Sequence, residues 1–169
     1  MAFLMAGLTI GLMLLARDWE PLLIWYFEDS GAATAPILPF LAITLFSIPM
    51  HELLHVATHP HFGLTSNSVL GLWLSRGIFY AHFEGEMSRN RFLAVLAMPF
   101  LVLSLLPLVV IAVIGESGPS ILPGFLFVLA LVNSVLAVGD ALGFVVIFSQ
   151  FPGFAVVRNK GYESYWKHK

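Results

Sequence analysis

The amino-acid sequence predicts an all-α transmembrane protein of about four membrane-spanning helices, with a small β-hairpin between the second and third spans. Three observations carry this. Of 169 residues, 59% are apolar (AVILMFWYC) and only 11% charged, against roughly a quarter charged in soluble domains. Three windows, 35–57, 92–114 and 121–148, exceed the roughly 20 apolar residues that cross a hydrocarbon core. Those windows contain no Lys or Arg and two acids, Glu52 and Asp140.

The first span, 1–16, is uniformly apolar but at about 1.5 Å per residue reaches only about 24 Å. It has to continue through Arg17-Asp18-Trp19 or sit in a thinned bilayer, and without a positive n-region it reads as a signal anchor. The second span, 35–57, carries Pro49, which is expected to kink it. Between the second and third spans, 69–85 is rich in β-branched and aromatic residues around Ser75-Arg76-Gly77, with Tyr80, His82 and Glu84 on alternate positions; it reads as a hairpin. Ser88 is the expected N-cap of the third span, 92–114, with Arg89 and Arg91 at the inner interface. The fourth span, 121–148, contains Asn133 and Gly139-x-x-x-Gly143, small residues that let another helix approach closely. The mixed polar and aromatic tail, 149–169, completes a single polytopic membrane domain.

Lys and Arg are distributed unevenly among the loops. Segment 58–91 holds three and the tail four, against one (Arg17) in 17–34 and none in 115–120. The positive-inside rule then puts both termini and the tail on the inner side. With 8 Lys+Arg against 10 Asp+Glu there is no basic stripe for a phosphate backbone, so no nucleic-acid partner is expected. The absence of Cys excludes disulfides and thiolate metal sites, so any metal must use His and carboxylate.

An ionisable side chain in hydrocarbon costs several kcal/mol unless paired or ligated, which makes it a functional candidate. Within the three long windows the full set is His51, Glu52, His55 and Asp140. His51-Glu52-Leu53-Leu54-His55 is an H-E-x-x-H: on a helix both imidazoles share a face and reach one Zn²⁺, with Glu52 about 100° round, toward the water to be activated. Two His leave Zn²⁺ short of the usual three protein ligands, and Asp140 is the remaining acid. Counted from the window ends, Asp140 and the two His differ in depth by about 3–9 Å, a gap assigned to tilt. Asn133, two turns before Asp140 on nearly the same face, either donates to a substrate carbonyl or hydrogen-bonds across helices. His59 is too far along the axis from His51 to share the ion. With His61 and His82 it is expected at the interface.

The segments IPMHELLHVATH, RGIFYAHFEGEMSRNRFLAVLAMPFLVLSLLPL, LVNSVLAVGDALG and FAVVRNKGYESYWK resemble, across roughly residues 40 to 167, a bacterial and archaeal membrane family described as zincin peptidases. That family is similar to the site-2 intramembrane metalloproteases. The resemblance implies Zn²⁺ held by His51, His55 and Asp140, with Glu52 as general base, in a prokaryotic cytoplasmic membrane. The site-2 pattern Asn-x-x-Pro-x-x-x-x-Asp-Gly is matched loosely: the Asn-to-Asp offset is seven, with Leu136 in place of Pro and Ala141 in place of Gly. Two functions are expected from these features. One is a zinc-dependent intramembrane peptidase acting on a membrane-embedded protein or peptide, with the hairpin accepting the substrate as an added strand. The other is a non-hydrolytic metal- or haem-binding membrane protein, or a catalytically silent scaffold of peptidase descent.

Overall fold

The computed structural model describes residues 37–114, 121–160 and 163–168; the expected first span, 1–16, lies outside them. The described chain is mostly helical, with two small antiparallel sheets. Helix α1 (Ile37–Thr58) leads through a short turn (Pro60–Gly63) to β1 (Ser68–Trp73), β2 (Ile78–Phe83) and β3 (Met87–Ser88). Helix α2 (Arg89–Phe100) continues through a π-helical turn (Leu101–Leu105) into α3 (Leu106–Ile114). Then come α4 (Ile121–Leu136), α5 (Val138–Gln150), β4 (Val156–Lys160) and β5 (Glu163–Lys167).

Two stretches, Phe40–Thr58 and Arg89–Ile114, are long and apolar enough to cross a membrane, and a third is added if α4 and α5 count as one broken span. Large apolar side chains on these helices face outward, with Leu45 69% and Val113 80% exposed. Exposure of that kind on a folded chain suits lipid rather than water.

The described residues fall into two compact units whose boundaries lie at Pro49, Pro99 and Gly139. In the first unit, the π-helical turn and α3 pack on α4. Among its buried groups is a polar knot in which Asn133 Nδ2 donates to Ser104 Oγ at 2.9 Å, Ser104 Oγ donates to the Ala130 carbonyl at 3.2 Å, and Ser134 Oγ lies 3.2 Å from Ser104 Oγ. Small residues admit close helix packing here, and the hydroxyls and amide satisfy one another where no water is present. The π turn closes with the Leu106 N–H on the Leu101 carbonyl. It directly precedes Pro107, whose ring would otherwise crowd the carbonyl four residues earlier.

The single span expected over 121–148 is broken at Ala137. Ser134 Oγ donates back to the Ala130 carbonyl at 2.6 Å, a local bond that bends helices, and Gly139 just beyond is a poor helix former. The break gives α5 a start of its own, with Asp140 in its first turn.

The second unit holds both sheets. β1 and β2 pair antiparallel from Ser68↔Phe83 to Trp73↔Ile78. The turn ends in Gly77 at φ +63°, a left-handed conformation cheap only for glycine. Gly71 faces Tyr80, whose ring lies where a Cβ would sit. The second sheet, in the order β3-β4-β5, is not expected from the sequence and takes in part of the tail. Met87 pairs with Val157 and Ser88 with Val156, so the tail is stitched to the residues just before α2. Fully buried Val157 joins Phe83, Met87, Phe92, Leu93, Val95 and Ile147 in one core. That core ties the hairpin, α2, α5 and the tail together. Ser88 caps α2, its Oγ accepting the Arg91 N–H at 3.3 Å.

Candidate metal centre

His51, Glu52 and His55 lie on the second-unit part of α1, which begins at Pro49. The i,i+4 spacing brings the two imidazoles edge to face, with ring centroids 4.9 Å apart, and both are buried. Potential ligand atoms of His51, Glu52 and His55 lie within 4.8 Å of one another. Asp140, from the first turn of α5, comes closer still. Its Oδ2 is 2.9 Å from His51 Nε2 and 3.3 Å from His55 Nε2.

His55 shows what belongs between these groups. Its Nδ1 lies 2.9 Å from the Val95 carbonyl in α2. A carbonyl can only accept, so Nδ1 carries the hydrogen and the Nε2 of the neutral ring is a lone pair. That lone pair faces a carboxylate oxygen, acceptor against acceptor, in a buried site. A positive charge between them, a second proton or a metal ion, resolves the conflict. Ligand atoms on a tetrahedral Zn²⁺ lie about 3.3 Å apart, close to the observed separations. Two imidazoles and a carboxylate are a common donor set for zinc, and the Val95 bond is the outer-shell contact that fixes a ligating imidazole. The residues present therefore fit Zn²⁺.

Glu52 points differently from Asp140. Its Oε2 accepts the Ala81 N–H of β2 at 2.7 Å. That contact holds Oε2 on the hairpin and leaves Oε1 for other partners. It also shows that the Ala81 N–H is turned away from β1. Sequence patterning could not find this bond, because it uses a backbone group.

Asn133 is fully buried in the first unit, where its Nδ2 donates to Ser104 Oγ at 2.9 Å. His59, expected at the interface, is buried at 2% exposure. Its ring packs on Phe83 at 5.4 Å and its Nδ1 is 3.2 Å from Ser68 Oγ. Burial, reinforced by neighbouring His55, His82 and Arg91, lowers its pKa to about 4.

The unfolded chain therefore takes a proton on His59 below about pH 6.5 that the folded chain refuses until about pH 4. Stability is lost as pH falls through that window, by about 2 kcal/mol between pH 7 and pH 5. Melting temperatures at the two pH values should fall less for His59→Gln than for wild type, any loss from metal release being common to both. Equal falls would show that His59 does not titrate in this way.

Paired imidazoles and a neighbouring acid on one apolar helix form a cluster that could hold a metal ion. Residues 44–156 match the family described as "Putative zincin peptidase". The match covers well over half of the chain, and the protein belongs to that family. No curated protein and no solved structure matches the chain.

Proposed function

We propose that the protein is a zinc-dependent peptidase that cleaves membrane-embedded proteins or peptides, with both termini on the inner side of a prokaryotic cytoplasmic membrane. The observation that carries this is the convergence of His51 Nε2, His55 Nε2 and Asp140 Oδ2 with the Glu52 carboxylate beside them. His51, His55 and Asp140 would hold the ion. When bound, Zn²⁺ supplies Lewis acidity, polarising a scissile carbonyl and acidifying water. Glu52 accepts the proton of the attacking water at Oε1, while the Ala81 N–H holds Oε2 and fixes the carboxylate's direction. As the C–N bond breaks, Glu52 returns that proton to the leaving nitrogen. His55 is kept in its ligating tautomer by the Val95 carbonyl.

A helical substrate hides its scissile carbonyl and must be extended first. β2 supports that requirement: it is one of only two strands in its sheet, and the edge carrying the Ala81 N–H faces Glu52. A substrate strand added along that edge would run past the general base.

Elemental analysis of detergent-purified protein tests the reading. About one zinc per chain is expected, together with cleavage of membrane-embedded peptides in proteoliposomes that a chelator abolishes and added zinc restores. Protein that takes up no zinc even when it is supplied would overturn the proposal.

A further inference from the structure

The two helices that carry the candidate ligands end on neighbouring arginines. Arg91 Nε donates to the Thr58 carbonyl at 2.7 Å and Arg91 Nη2 to the His59 carbonyl at 2.7 Å, at the C-terminal end of α1. Arg89 Nη2 donates to the Phe148 carbonyl at 2.7 Å, and Arg89 Nε approaches the Ile147 carbonyl at 3.5 Å, in the last turn of α5. Its guanidinium also lies over the Phe148 ring, 5.1 Å from the centroid. Both arginines stand on the first turn of α2, which is itself held. The Arg91 N–H is on Ser88 Oγ at 3.3 Å, and the Arg89 N–H is on the Ala155 carbonyl at 2.9 Å.

Carbonyls in the last turn of a helix lack intrahelical donors and sit at the negative end of its dipole. A guanidinium answers both needs, and its planar fork spans successive carbonyls where an ammonium is a single point. The positive-inside rule asks only for a charge on this side of the membrane. It does not ask that each arginine grip a different helix.

Residue counts show what the grip does. His59, one residue past the end of α1, lies eight residues beyond His51, and Phe148 lies eight residues beyond Asp140, roughly 11–12 Å in each case. Two helices pinned at their ends by side chains two residues apart, with equal lengths back to the ligands, deliver His51 and Asp140 to one depth. The observed separation of their ligand atoms is 2.9 Å. The gap of about 3–9 Å counted from hydropathy windows closes because the arginines, not the apolar boundaries, set the common level.

The geometry points to Arg89 and Arg91 as positioning residues that hold the α1 and α5 ligands in register; this rests on the metal-site reading above. The test uses Co²⁺ as the probe, in purified wild type, Arg89→Gln, Arg91→Gln, Arg89→Lys, Arg91→Lys and, as a charge-loss control, Arg158→Gln on exposed β4. The readouts are Co²⁺ affinity and the visible absorption of the bound ion, which reports ligand geometry. Each Gln variant is expected to bind about tenfold more weakly with an altered spectrum. The Lys variants should lie between, and Arg158→Gln should match wild type. Wild-type affinity and spectrum in both Gln variants would overturn the register role while leaving the metal site standing. If a Gln variant cannot be purified folded, the matching Lys variant, which keeps the charge and loses the fork, decides by the same readouts. Wild type that binds neither Co²⁺ nor Zn²⁺ would remove the metal site, and the register role with it.

Discussion

Glu52→Gln is expected to keep its zinc and lose peptide-bond hydrolysis by a factor of about 10²–10⁴, the usual contribution of a positioned general base. The substitution is nearly isosteric. The side-chain amide oxygen can still accept the Ala81 N–H that Oε2 accepts now, so the hairpin contact survives and only the proton-accepting capacity is lost. In the proposed ligand set His51, His55 and Asp140 would hold the ion, with Asp140 Oδ2 close to both imidazoles, so zinc content should not depend on Glu52. The measurement pairs zinc content with cleavage of a membrane-embedded peptide in proteoliposomes. Turnover at the wild-type rate would remove Glu52 from the mechanism, and loss of zinc would move it into the ligand set.

Asp140→Ala is expected to act on the metal instead. It leaves two imidazoles on one helix and no anionic ligand, so zinc affinity should fall by more than the 10- to 100-fold typical of losing an outer-shell partner. Asp140→Asn, with one oxygen still in place and no charge, should fall less. Competition against a chromogenic chelator measures both. Wild-type affinity in Asp140→Ala would mean that Glu52 is the third ligand, the arrangement left open by the 4.8 Å grouping of His51, Glu52 and His55.

These residues could be read from the sequence for two physical reasons. The i,i+4 spacing of His51 and His55 is local geometry that any helix obeys. Asp140 stood out because charge is so costly in an apolar span that the candidates were few. What stayed hidden was non-local. β3 is two residues long and carries no periodicity, so its pairing with Val156 and Val157 had no signal in either segment. The tail's Val157 looked like any apolar residue, yet it is fully buried. Arg89 and Arg91 were visible as inner-side charges, but their carbonyl partners on α1 and α5 follow only from how the helices meet. The break at Ala137 was masked because residues 121–148 are almost uniformly apolar, and hydropathy does not register a Ser back-bond or a helix restart.

That restart has an electrostatic consequence for the carboxylate it carries. Had residues 121–148 formed one uninterrupted helix, Asp140 would sit mid-helix, with every nearby N–H already spent on a carbonyl one turn back. In the first turn of α5 it lies instead at the positive end of the new helix's field. The start of a helix favours a negative charge there where the middle of one does not. Gly139→Ala, which favours an uninterrupted helix through the residue before Asp140, would work against that.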